Sequence, residues 1–149
     1  MIEIKEVDAE NVFDICELTT NPNGVGTTME PYICCNAISV AESKYYPDMH
    51  PKAIYHDETL IGFFMYQQTA LQADTVTICR FMVDYKFQNQ GLGKKAFGCI
   101  LNVLKSQGVR KVVLMIDETN QIAKNLYVSF GFTFTGKMDK DEYYYELTM

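Results

Sequence analysis

The chain has 149 residues, a formal net charge of −6 and 48% hydrophobic residues. That length suits one domain able to bury a core of its own. The acidic balance excludes nucleic acid as the main partner, because phosphate binding needs clustered lysine and arginine; it is compatible with a cationic substrate and equally with plain solubility.

Membrane insertion is not expected either. No apolar run approaches the ~20 residues of a membrane span, and the start lacks the basic-then-apolar order of a signal peptide. A soluble, cytoplasmic protein follows. The five cysteines (Cys16, Cys34, Cys35, Cys79 and Cys99) form no Cys-x-x-Cys, and only His50 and His56 supply imidazoles. Reduced thiols that pack, without structural zinc or another metal, are the expectation.

Ile2 to Val7 alternates apolar and polar, as a half-buried strand does. A helix is predicted from Asp8, with Val12, Phe13, Ile15, Cys16 and Leu18 facing inward. Thr19 to Thr28 breaks regular structure. A second helix reaching Lys44 would bury Ile33, Ala37, Ile38 and Ala41. Tyr45 to Pro51 reads as a loop pinned by two prolines. Lys52–His56 and Thr59–Tyr66 form a hairpin around Asp57-Glu58, and a turn near Asp74 leads into a strand ending at Val83. Up to this point the strands make an antiparallel meander.

After Gly93 a helix of roughly four turns carries Leu92, Ala96, Phe97, Ile100, Leu101, Val103 and Leu104 on one stripe, and Gly108 ends it. Lys111–Asp117 is nearly all apolar, as a strand covered on both faces would be. Strand, helix and strand then make a right-handed parallel crossover. Asn120 suits the N-cap of a last helix presenting Ile122, Ala123, Leu126, Tyr127 and Phe130, with Gly131 closing it. Phe132–Thr135 and Tyr143–Leu147 form a final hairpin. One α/β domain with a mixed sheet accounts for the chain.

The most informative stretch is Gln88-Asn89-Gln90-Gly91-Leu92-Gly93-Lys94 between strand and helix. Glycines let backbone approach a ligand, and a helix start adds unpaired N–H groups at a positive dipole end, which together suit a phosphate or diphosphate. A Walker A loop is excluded, because Gln88 and Lys95 stand where it needs glycine and Ser or Thr. Gly91-x-Gly93-x-x-Ala96 satisfies a loose dinucleotide pattern. In that fold, however, the first glycine follows its strand directly, whereas seven residues separate Val83 from Gly91 here.

Gln88-x-x-Gly91-x-Gly93 after a strand, followed by Asn120-x-x-Ala123-x-x-Leu126-Tyr127-x-x-x-Gly131-Phe132, resembles the GNAT superfamily of N-acetyltransferases. Arg80-Phe81-Met82-Val83-Asp84 with Gln88 to Lys95, and Ile61-Gly62-Phe63-x-Met65-Tyr66 upstream, are similar to the bacterial spermine/spermidine (diamine) acetyltransferases within it. The resemblance implies a mixed, mostly antiparallel sheet of about seven strands, a central parallel splayed pair and about four helices. It also implies acetyl-coenzyme A as co-substrate, a small amine such as a polyamine as acceptor, and a homodimer. The open alternatives are another amine (an aminoglycoside or a protein N-terminus) and a coenzyme A-binding module without turnover.

Roles follow from the resemblance residue by residue. Phe81, Met82 and Val83 would pair through their backbone with the pantetheine arm. Gln88, Asn89, Gln90, Gly91, Leu92, Gly93 and Lys94 would hold the diphosphate. Asn120 and Lys124 would contact the cofactor, with N-capping as the other role open to Asn120. Tyr127 stands at the position of the general acid: a phenol with a pKa near 10 keeps its proton at neutral pH and can give it to a leaving thiolate. Glu30 and Glu42 are candidates for amine recognition, and Tyr45 with Tyr46 for cation–π contact. The position that is acidic in several polyamine acetyltransferases holds Cys79, followed by Arg80, which leaves the base unassigned.

Overall fold

The computed structural model describes residues 1–24, 29–30 and 32–149, with Met29 and Glu30 described by backbone alone. Seven strands form the main sheet: β1 (Ile2–Glu6), β4 (Met49–His56), β5 (Thr59–Gln67), β6 (Thr75–Val83), β7 (Lys111–Asp117), β8 (Thr133–Asp139) and β9 (Glu142–Thr148), in the order β1-β4-β5-β6-β7-β9-β8. Two short strands, β2 (Met29–Glu30) and β3 (Ile33–Cys34), pair separately. The helices are α1 (Val12–Glu17), α2 (Asn36–Tyr45), α3 (Leu92–Ser106) and α4 (Gln121–Ser129). The predicted mixed sheet, parallel only between β6 and β7, is the one observed.

Helices cover both faces. On one, Leu92, Ala96, Phe97, Ile100, Leu101 and Leu104 of α3 bury against Phe64, Val76, Ile78, Val112, Leu114 and Ile116. Each such side chain contributes about 1.5–3 kcal/mol when fully buried. On the other, Ile15 and Leu18, with Val40 of α2, pack on Ala53, Phe63, Met65 and Met82.

Several expectations need correction. Phe13 is 79% exposed, because α1 has fewer than two turns and Phe13 lies about 200° round the helix from Ile15. The inner face of α2 is Asn36, Ser39 and Val40, while Ala37, Ile38 and Ala41 face outward. Polar residues occupy the interior because they are satisfied there: Asn36 Nδ2 donates to the Ile15 carbonyl at 2.9 Å, and Ser39 Oγ lies 3.5 Å from Cys34 Sγ. Ile33 belongs to β3, not to a helix.

The expected loop through Pro51 is already strand. β1 pairs with β4 only from Lys52 to His56, so the missing N–H of Pro51 costs no ladder bond on that side. β7 alternates buried Val112, Leu114 and Ile116 with half-buried Val113 and Met115 rather than being covered on both faces. Ile122 is 86% exposed.

The feature that matters for function is a notch in the sheet. β5 and β6 pair as Tyr66↔Ile78 and then Met65↔Arg80, which leaves Cys79 as an extra, unmatched residue. Such a bulge bends and twists its strand. β6 and β7 pair only through Thr75–Ile78 and Lys111–Leu114. Beyond the bulge, β6 stays with β5 as far as Gly62↔Val83, and β7 stays with β9 as far as Asp117↔Glu142. The two parallel strands therefore part, and Cys79–Val83 faces Met115–Asp117 across an opening.

Candidate active site

The opening is the middle of a cleft of about 760 Å³ that runs through the sheet. Phe81, Met82 and Val83 form one edge and Met115, Ile116 and Asp117 the other. Gln88, Asn89 and Gly93 close the end beside α3, while Asn120, Ala123, Leu126 and Tyr127 of α4 form a wall.

The α3 end is built to receive something. Gly91, the N-cap, has φ +76° and Asn89 has φ +63°, and no side chain caps the helix. The first intrahelical bond runs from Lys95 N–H to the Gly91 carbonyl, so the N–H groups of Leu92, Gly93 and Lys94 have no partner within the helix. A turn of left-handed residues leading into a helix start is the backbone arrangement that holds anions. Gly93 adds a second sign. A methyl there would meet only Val83 Cγ2, at 4.0 Å, so the protein itself does not require the glycine. Its lower helix propensity, a cost of about 1 kcal/mol against alanine, is explained if space is kept for a ligand.

Two neighbours fix this loop from behind. Gln88 Nε2 donates to the Val83 carbonyl at 2.9 Å, so its side chain organises the turn. Asp84, 1% exposed, accepts from Thr19 N–H at 3.1 Å and Lys86 N–H at 3.0 Å, while Tyr85 N–H donates to the Thr19 carbonyl at 2.9 Å. The buried carboxylate thus staples the Thr19–Thr20 segment, whose Thr20 reaches the cleft, to the start of the glycine loop.

Tyr127 is positioned by aromatic packing. Its ring lies 4.9 Å from Phe97 and 5.9 Å from Phe132 between centroids, and Phe97 also touches Phe81 at 5.3 Å. Among the described residues its hydroxyl has no hydrogen-bond partner, although the residue lines the cleft. Burial pushes the phenol above its ordinary pKa. It stays protonated, a phenol in the wall of the cleft.

Of the remaining sequence candidates, Gln90, Gly91, Leu92 and Lys94 belong to the same turn but do not line the cleft with their side chains. Leu92 points into the core, Gln90 Nε2 donates to the Lys86 carbonyl at 3.4 Å, and Lys94 is exposed. Asn120 caps α4, accepting from Ala123 N–H at 3.2 Å, and borders the cleft as well. Lys124 is exposed and off the lining. Tyr45, 83% exposed at the end of α2, is not brought to the site, and neither is Tyr46. Glu42 is turned to Arg80 at 3.8 Å and does not line the cleft. The side chain of Glu30 lies outside the described residues.

Sequence reasoning gave no role to Arg80, Asp84, Asp117 or Glu142. A lone arginine within the apolar run Val76–Val83 was the signal for Arg80. Thr20 and Tyr32, which also line the cleft, carry no sign in the sequence.

A notched sheet, an uncapped glycine-rich helix start and a phenol between them define a class, and comparison with known proteins agrees. Residues 14–132 match the sequence profile of the Acetyltransferase (GNAT) family. The spermine/spermidine N(1)-acetyltransferase of Bacillus subtilis is 30% identical over 144 residues, covering 93% of this chain and 91% of that protein. The ribosomal protein bS18-alanine N-acetyltransferase of Haemophilus ducreyi is 36% identical over 78 residues, 52% of each chain. The PaiA N-acetyltransferase of Thermoplasma acidophilum, solved in complex with coenzyme A, superposes with a TM-score of 0.72 at 17% identity, covering 100% of this chain and 99% of that one. The chain belongs to the GNAT family of acetyltransferases.

Proposed function

We propose that the protein transfers the acetyl group of acetyl-coenzyme A to a primary amine, with spermine, spermidine or a related diamine as acceptor. The observation that carries this is the parted β6–β7 pair running into the uncapped start of α3. One side of the sheet then takes an extended, amide-bearing arm ending in a diphosphate, and the other side takes the amine. Acetyl-coenzyme A supplies the thioester.

Phe81, Met82 and Val83 pair through their backbone with the pantetheine amides, like one strand beside another. N–H groups from Gln88 to Lys94 hold the diphosphate, each contributing roughly 1.5–3 kcal/mol to a charged acceptor. Asn120 borders the pantetheine arm, and Lys124 reaches the outer part of the cofactor. A backbone N–H of the β6 edge faces the thioester oxygen, where negative charge develops. Tyr127 gives its proton to the departing sulfur.

The polyamine acceptor is supported by the relative that covers 93% of this chain and by charge. Asp117, Glu142 and Asp139 stand side by side across β7, β9 and β8, and among the described residues none of them is ion-paired. Like charges directly opposite are unfavourable in a sheet, and a cationic chain at the cleft mouth relieves them. A protein N-terminus as acceptor has the 78-residue similarity behind it. Thiol release from acetyl-coenzyme A with spermine, spermidine, putrescine, an aminoglycoside and an alanine-ended peptide tests both. Turnover at least tenfold faster with the polyamines is expected; turnover with the peptide alone would contradict the polyamine acceptor, and none with any amine would contradict catalysis.

A further inference from the structure

On the face of the sheet carrying α1 and α2, the cleft continues into a pocket of about 310 Å³. Among the described residues the single cation in its lining is Arg80, placed there by the bulge at Cys79. Three neighbours fix the guanidinium: Nε donates to Cys34 Sγ at 2.8 Å, one terminal nitrogen donates to the Cys79 carbonyl at 2.9 Å, and the other faces Glu42 at 3.8 Å. Glu42 stands behind the guanidinium and does not line the pocket, so an entering molecule meets the positive pole of the pair. The thiol of Cys79 is pushed up by burial and stays neutral. Among the described residues, Glu142, at the pocket's outer side, is the single carboxylate in the lining. Asp117 across from it lies at the mouth, where two bonds from Thr119 hold it ionised.

This arrangement bears on a step to which no base has been assigned among the described residues. An aliphatic ammonium with a pKa near 10 is neutral in only about one molecule per thousand at pH 7, and only the neutral amine can attack a thioester. A fixed like charge nearby disfavours the protonated form. Resting on the acetyltransferase reading, we propose that Arg80 drives the inner nitrogen of the acceptor to its neutral form, so that its proton leaves to solvent through the pocket without a carboxylate base. The carboxylates at the mouth keep the far nitrogen of a diamine charged, so the field also sets which end reacts. The balance is complete. The ammonium loses one proton to water, its lone pair forms the C–N bond, and the C–S bond breaks with Tyr127 protonating the sulfur. The second nitrogen proton, passed through water, restores Tyr127. The products are the amide, the free thiol and one proton.

The test is the pH dependence of kcat with both substrates saturating, since kcat reports groups in the bound complex. Arg80→Gln is expected to move the acidic limb up by about one unit, lowering kcat at pH 7 about tenfold, with recovery above pH 9.5 and a lower acceptor KM. Arg80→Lys keeps the limb near its original place. Glu42→Gln, which removes the opposing charge behind the guanidinium, is expected to move the limb the other way. An unmoved limb in Arg80→Gln, a loss of equal size at every pH, or the same direction of shift in Glu42→Gln would overturn the proposal while leaving the acetyltransferase reading intact. Calorimetric binding of acetyl-coenzyme A to each variant checks that reading separately, and unchanged binding is expected.

Discussion

Phe97 sits at the centre of the cluster that holds Tyr127, and its contacts explain why this phenol stands at a set place in the cleft wall. Tyr127→Phe keeps those ring contacts and removes only a hydroxyl that has no partner among the described residues. We expect kcat to fall at least tenfold while acetyl-coenzyme A affinity and melting temperature stay the same; unchanged turnover would exclude Tyr127 as the acid. Because burial raises its pKa, the donor form persists, and Tyr127 should cause no fall in kcat between pH 8 and about pH 10. Gly93→Ala separates fold from function. The methyl meets nothing closer than 4.0 Å, so stability should rise by about 0.5–1 kcal/mol while acetyl-coenzyme A affinity drops at least tenfold. At this scale the glycine turn and Tyr127 were readable because backbone-approach motifs have fixed spacing. Arg80 and Asp84 were not, since their roles depend on partners far along the chain, at Cys34, Glu42 and Thr19.

Among the elements, β6 carries the design: an extra residue at Cys79 turns its second half away from β7. Gly62 lets β5 follow it. A Cβ at Gly62 would stand 2.4 Å from the Met82 carbonyl oxygen, so Gly62→Ala should push β5 and β6 apart beside the notch. We expect a loss of about 1–3 kcal/mol in denaturant unfolding together with weaker acetyl-coenzyme A binding. Wild-type values for both would mean that the close approach is dispensable. Asp84→Ala, which strands two N–H donors, should cost about 1–3 kcal/mol on the same measure. The strands and α3 were legible from alternation and a clean apolar stripe. The phase of α2 was not, because satisfied Asn36 and Ser39 occupy the interior while Ala37 and Ile38 face solvent. The bulge was invisible too: an unmatched residue shows only once its partner strand is in place.

Over the molecule as a whole, charge is sorted rather than uniform. The guanidinium of Arg80 lies inside the cleft, the row Asp117, Glu142 and Asp139 stands at its mouth, and the uncapped start of α3 marks the opposite face. Among the described residues no helix is long and apolar enough to cross a membrane. The net charge of −6 was legible from composition, but the row of three carboxylates across β7, β9 and β8 was not. The most direct check is an amide NMR titration with coenzyme A. Saturable shifts and slowed hydrogen exchange at Phe81–Val83 and residues 88–94, with smaller shifts at Asn120 and Lys124, are expected. Shifts elsewhere with those amides unmoved would contradict the account.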